Sequence, residues 1–336
     1  MPQSRLRVAI VGCGAIAELG HLPAARQVDE VALVGVVDSD RARAEALAAR
    51  FRVPRAAASL AEVADATDAV ILATPPHVRP ALAAEAFAAG LHVLCEKPLA
   101  NSSAECQEIL RAAAGARRVL AVAHTYRFFP NRQRVQALLR QGALGRVRQV
   151  EVEEGTPTEW PTRTGYTFRR ELVSGGVLLN LGIHSLDALF WWFGHPVEAL
   201  YQDDAVGGLE SNARIRLRFA EDVVATVRLS RTCRLANRIR VEGEAGALTL
   251  PVYDQLQLTE EWGSKAVTRK VAGGKSGVVR VVAAQLRDFA ESIAARRPPA
   301  ATGADGLRVV QFIEQCYAAK RARPLPARAP IPGVTW

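Results

Sequence analysis

The chain has 336 residues, 49% of them hydrophobic and 23% charged, more than one small core needs, and this predicts about two domains. No run approaches the roughly 20 uncharged apolar residues of a membrane helix, and Met1-Pro2-Gln3-Ser4-Arg5 leads into a strand-like segment without a signal-peptide core, so a cytoplasmic protein with no membrane partner is expected. The formal charge is +9, but arginine supplies 38 of the 43 basic residues and no basic block alternates with aromatics, which argues for arginine-rich codon usage and against a nucleic-acid partner. Five dispersed cysteines (Cys13, Cys95, Cys106, Cys233, Cys316), with no C-x-x-C pair, predict reduced thiols and neither a disulfide framework nor a zinc cage.

The first elements read as strand, turn, helix, strand, acid. Arg5 to Val11 is a short apolar strand, followed by Gly12-Cys13-Gly14-Ala15-Ile16-Ala17 and a helix reaching about Gln27. Val31 to Val37 is a second strand that ends at Asp38 and Ser39. Gly12 permits the tight turn, Gly14 lets the backbone approach a pyrophosphate, and Ala17 is small enough for close helix–strand packing. Asp38 lies about 20 residues beyond the loop, where a carboxylate accepts hydrogen bonds from an adenosine ribose. The expected cofactor is therefore NAD rather than NADP, although Arg41 and Arg43 stand close to that acid.

The alternation then continues. A helix over 41–50, a buried strand over 68–73 ending in Thr74-Pro75-Pro76-His77, and a helix over 80–89 stopped by Gly90 are expected. Next come a strand over 91–95 ending in Glu96-Lys97-Pro98, a helix over 102–114 and a strand over 119–123. Such a rhythm predicts a doubly wound parallel sheet with its ligand at the carboxyl ends of the strands, where Gly12, Asp38, Thr74 and Lys97 all fall. Lys97 precedes every other lysine by more than 160 residues. A lysine partly desolvated beside a nicotinamide can act as a general base. Pro98 fixes the backbone after it and is a candidate for a cis bond.

After His124 the period changes to two. Val147 to Glu154, Ala213 to Phe219, Val223 to Leu229, Asn237 to Glu242, Leu256 to Thr259 and Ala266 to Val271 read as an antiparallel sheet with one packed and one polar face. Helices over 278–295 and 306–319 and a Pro-rich tail over 321–336 close the chain. Within this half, Ser174-Gly175-Gly176 leads to Asn180, His184 and Asp187. At helical spacing these three side chains share one face, while Phe190-Trp191-Trp192-Phe193 fills the core. A packed histidine and a functional one are about equally supported by this spacing. His-x-x-Asp alone is too sparse for a metal site.

Taken in order, Gly12-Cys-Gly14-Ala-Ile-Ala17, Thr74-Pro-Pro, Glu96-Lys97-Pro98, Tyr126-Arg127-Phe128, the Gly142-Ala-Leu-Gly145 turn, Gly175-Gly176 and Gly182-Ile-His184-Ser-Leu-Asp187 resemble the Gfo/Idh/MocA oxidoreductase family. The resemblance implies an α/β chain: an N-terminal Rossmann doubly wound parallel sheet (1–124), then a C-terminal α+β substrate-binding and oligomerisation domain (125–336) with a large open, mainly antiparallel sheet. It also implies NAD(P)-dependent interconversion of a secondary alcohol and a ketone on a sugar, sugar nucleotide or cyclitol, by a homodimer or homotetramer associating through that sheet. The substrate is expected to be sugar-like, with an anionic one compatible with the basic charge. Lys97 takes the position of the family's catalytic lysine, His184 that of its histidine, and Glu96 that of the residue near the nicotinamide ribose. Two departures stand out. Asn180 occupies a position where sugar-oxidising members commonly carry aspartate, and Arg79 one where many carry histidine. Arg127, Trp160, Tyr166 and Asp187 are candidate substrate contacts, with Trp160 and Tyr166 offering flat faces to a sugar ring. The competing reading, compatible with Asn180, is a non-catalytic dinucleotide-binding regulatory protein of the same fold.

Overall fold

The computed structural model describes residues 5–157 and 165–320. In chain order the first elements are β1 (Leu6–Val11), a π-helical turn (Ala17–His21), α1 (Leu22–Ala25), β2 (Val31–Val37), α2 (Arg41–Phe51), β3 (Arg55–Ala57) and β4 (Ala69–Leu72). They are followed by α3 (Arg79–Ala88), β5 (His92–Cys95), α4 (Ser103–Ala116), β6 (Leu120–Val122), α5 (Pro130–Arg140) and β7 (Val147–Gly155). A second π-helical turn (Leu178–Gly182) runs into α6 (Ile183–Phe193). Then come β8 (Glu198–Asp203), β9 (Asn212–Arg218), β10 (Val224–Ser230), β11 (Arg238–Gly243), β12 (Ala247–Pro251), β13 (Gln257–Trp262) and β14 (Lys265–Lys270), with α7 (Val278–Ala294) and α8 (Gly303–Ala319) last. The Pro-rich tail lies outside the described residues.

Two compact units result. The first comprises residues 5–125, 165–173 and 278–311, so it includes α7 and a short segment that the sequence reading assigns to the second half. Its six strands are all parallel in the order β3-β2-β1-β4-β5-β6. That order reverses between β1 and β4, the crevice where open α/β sheets bind ligands. The central strands are buried on both faces, which is why Val8-Ala-Ile10 and Ala69-Val-Ile-Leu72 read as unbroken apolar runs. Val282, Leu286 and Phe289 of α7 join the core on the Ile10 and Leu22 side of the sheet. Local chemistry sets the helix ends. Asp40 caps α2 through the Arg43 amide at 3.1 Å, and Ser102 and Glu105 form a capping box at α4.

The second unit comprises residues 126–157, 174–277 and 312–320 and holds an eight-stranded sheet, β14-β13-β12-β11-β7-β10-β9-β8. Every neighbouring pair is antiparallel except β7 and β10, which run parallel at its centre. Val150, Val152, Ile215, Leu217, Val227, Leu229, Ile239 and Val241 are buried, while Arg228–Glu153 and Arg240–Glu261 pair at 2.7 Å among the alternate, less buried positions. β3, α5, β8 and β12 are additions to the elements expected from sequence. No helix among the described residues is long and apolar enough to cross a membrane.

The second π-turn depends on close approach. A Cβ on Gly182 would fall 2.5 Å from Leu229 Cδ1, and one on Gly176 would fall 2.1 Å from the Glu210 carbonyl oxygen. The first clash involves a side chain that can shift; the second involves backbone. Gly176→Ala is therefore expected to destabilise the fold by about 3 kcal/mol or more, at or beyond the usual cost of overpacking, as measured by urea unfolding. A loss below about 1 kcal/mol would show that the Gly176–Glu210 contact is not tight.

Candidate active site

At the nucleotide end, backbone geometry comes first. Gly12 has φ +99°, and a Cβ there would lie 2.7 Å from the Ala73 carbonyl oxygen, so only glycine fits the turn. Its N–H donates to Val37 O at 2.7 Å, and the Cys13 N–H donates to Asp38 Oδ2 at 2.8 Å. The Cys13 side chain is fully buried, so what it offers the loop is backbone. Asp38 Oδ1 accepts from the Asp40 N–H at 3.0 Å and from Arg43 Nη1 at 3.1 Å, while Arg43 Nη2 donates to Asp40 at 3.0 Å. Arg41 is occupied by Glu62 at 2.6 Å. Ser39 and His77 are exposed, and Pro75 is half-buried.

Two features show that these residues suit a dinucleotide. A Cβ on Gly14 would meet no atom of the described residues within 4 Å, so packing among them does not demand glycine there. The Thr74 hydroxyl is buried with no hydrogen-bond partner among the described residues. Ala15 and Ile16 open the helix, and the first amides of a helix are the kind of group that receives a phosphate.

The next two strand ends are tied by one side chain. Arg79, 2% exposed, donates from Nε to Thr74 O at 2.9 Å and from Nη1 to Glu96 O at 2.5 Å and to Pro98 O; Nη2 also reaches Thr74 O. The position read from sequence as a departure at the cofactor rim is thus a buried clamp on both sides of Lys97. The Lys97–Pro98 peptide is cis, and Lys97 is half-buried. Glu96 is buried and its Oε1 lies 2.9 Å from Nε2 of His21, a fully buried residue that ends the first π-turn. Burial alone would raise the Glu96 carboxyl, but the His21 hydrogen bond and the charges of His21, Arg79 and Lys97 hold it below its ordinary value. Tyr166 sits beside Arg79 and Glu96. Burial lifts its phenol above the ordinary value, with Arg79 opposing and Glu96 assisting.

In the second unit, Asn180 lies inside the π-turn and His184 in the first turn of α6, both half-buried, so the ordinary helical register does not relate them. Glu210 organises the approach to this segment. Its carboxylate accepts from the amides of Gly176 (2.8 Å) and Leu178 (2.9 Å) and from the Tyr317 hydroxyl (2.7 Å), and its carbonyl accepts from Val177 (2.9 Å). The His184 ring stacks on Tyr126, centroids 4.7 Å apart. Asp187 and Arg127, both expected to face substrate, form a buried two-bond ion pair at 2.7 and 2.9 Å. Trp160 lies outside the described residues. Sequence reasoning missed Arg79 as a clamp, His21, Glu210 and Glu154. Only Glu154 carried a usable signal, because period-two alternation puts it on the buried face with Val150 and Val152.

Residues 6–124 match the family model described as oxidoreductase family, NAD-binding Rossmann fold, and residues 132–249 match the GFO/IDH/MocA C-terminal domain. UDP-N-acetylglucosamine 3-dehydrogenase of Acidithiobacillus ferrooxidans is 29% identical over 94% of this chain and 98% of its own. D-glucoside 3-dehydrogenase of Escherichia coli is 32% identical over 58% of this chain, a match spanning 56% of that enzyme's length. The crystal structure of aldose-aldose oxidoreductase from Caulobacter crescentus, complexed with glycerol, superposes with a TM-score of 0.85 at 27% identity, covering 94% of this chain and 97% of that one.

Because space at Gly14 is not used by the chain itself, Gly14→Ala is expected to leave urea unfolding unchanged within about 0.5 kcal/mol, as at a tolerant site, while weakening dinucleotide binding at least tenfold in fluorescence titration. Equal affinity in both forms would show that the loop does not lie against the cofactor.

Proposed function

The chain belongs to the Gfo/Idh/MocA oxidoreductase family, and we propose that it is an NAD-dependent dehydrogenase or ketoreductase acting on a secondary alcohol of a sugar, sugar nucleotide or cyclitol. The observation that carries this reading is the half-buried Lys97, held by the Arg79 clamp at the carboxyl edge of the sheet that bears the dinucleotide loop. The names of the related enzymes support the substrate class. The nicotinamide, when bound, supplies or accepts the hydride. The chain's residues manage the proton: Lys97 takes it from or returns it to the hydroxyl oxygen, as a positioned acid/base. His184 orients the carbinol, and Glu96, held by His21, orients the nicotinamide ribose. Lys97, and not His184, is the principal acid/base in this reading, and the residue at position 180 is an amide that can hydrogen-bond but cannot hold a negative charge. In this reading the chain forms a homodimer or homotetramer through its open second sheet.

NAD is the preferred cofactor. One guanidinium, Arg43, bridges two carboxylates, Asp38 and Asp40, and Arg41 is engaged by Glu62, so a 2′-phosphate at this edge meets net negative charge. NADPH is expected to bind at least tenfold more weakly than NADH, and Asp38→Ser to narrow the gap. Comparable dissociation constants in the native chain would contradict the assignment.

Lys97→Ala is expected to lower kcat by about 10²–10⁴-fold, the usual contribution of a positioned base, with the NADH dissociation constant within a few-fold of native. His184→Ala should cost less. Turnover on a panel of sugars and cyclitols with NAD measures both. A Lys97→Ala variant with near-native kcat would reduce Lys97 to a cofactor contact, and no turnover on any panel member would favour a regulatory protein.

A further inference from the structure

The second unit buries a carboxylate that the mechanism above does not use. Glu154, 1% exposed, closes β7 on the inner face of the sheet. Its Oε1 accepts from the Tyr126 hydroxyl at 3.3 Å and its Oε2 from Ser185 Oγ at 3.1 Å. Tyr253, after β12, interacts with it as well. These hydroxyl donors suit an ionised carboxylate. Both of the measured contacts lead to His184: Ser185 is its neighbour on α6, and the Tyr126 ring stacks on its imidazole at 4.7 Å with 21° between planes.

From this juxtaposition we propose that Glu154 is a positioning residue for His184, placing a negative charge beside it through Tyr126 and Ser185. The surrounding charges give the placement its purpose. Arg132, fully buried on α5, holds its guanidinium 4.1 Å from the Tyr126 centroid and donates to Val252 O at 2.7 Å. That fixed positive charge disfavours an imidazolium on the same ring, and Glu154 offsets it. Arg127 and Asp187 neutralise each other in their ion pair. Burial, with Glu154 adding to it and Arg132 opposing, keeps the Tyr126 phenol protonated well above its ordinary range, so this group donates to Glu154 rather than competing for a proton.

The inference rests on the reading that His184 serves the substrate side, and its test is readable without turnover. The His184 imidazole is titrated by NMR in the full chain, assigned by His184→Gln, alongside the pH profile of kcat/KM. Glu154→Gln keeps shape and removes charge, so the His184 midpoint is expected to fall by about one pH unit. Ser185→Ala leaves the charge in place and should move it by less than half as much. An unmoved midpoint in a folded Glu154→Gln chain overturns the proposal and leaves Lys97 untouched. Should that variant not fold, Glu154→Met, which also removes the charge and fills similar volume, must lower the midpoint or the proposal falls. A shifted midpoint with turnover indifferent to His184→Ala upholds the link and overturns the role of His184 itself.

Discussion

Arg79 solvates three main-chain carbonyls from inside the protein, and the carboxyl edge of the first sheet depends on that arrangement. Strands that end at a ligand crevice leave backbone oxygens without ladder partners, and buried oxygens left so are costly. A loop of neutral residues would have to turn those oxygens to water, away from any ligand. A guanidinium offers five donors in a fixed fork. It therefore binds the Thr74 and Pro98 segments into one rim on which Lys97 is displayed. The second unit solves the mirror problem with the opposite charge. Glu210 gathers the amides of Gly176 and Leu178 where a helix begins, and the two glycines before it leave no side chain in the way.

Much of this was legible in the chain. Unbroken apolar runs identified β1, β2, β4 and β5, and strict alternation identified β9, where Ile215 and Leu217 are buried while Arg216 and Arg218 are exposed. What escaped had physical reasons. β3 is Arg-Ala-Ala, three residues with no β-branched side chain, and is a strand because β2 offers it a ladder. β8 carries an exposed Leu200, so its hydrophobic pattern marks no packed face. The parallel pairing of β7 with β10 is a tertiary choice between segments some seventy residues apart, and neither strand alone encodes it.

The site divided in the same way. Motif positions such as Gly12, Asp38, Glu96 and Lys97 stand out because their neighbours in sequence define them, and the fold sets all four at the carboxyl ends of β1, β2 and β5. Arg79 was not recognised as a clamp, since an arginine beside Pro80 at a helix start looks like surface, and its three partners come from two other loops. Asp187 and Arg127 look equally available to a ligand until the fold brings them together. Charge found in a sequence says nothing about whether it is already spent.

The two π-turns carry a consequence of their own. Each holds one residue more than an α-helical turn would, so each resets the phase of the helix that follows by about 100°. His21 and His184 stand just at or beyond such phase resets. The angular setting of both imidazoles is thus governed by a count of residues as well as by the packing around them, like a dial advanced by one notch. Removing a single residue from either turn would rotate its histidine together with the buried residues of the helix behind it, Leu22 of α1 or Leu186 and Leu189 of α6, so each extra residue is locked in by the core of its own unit.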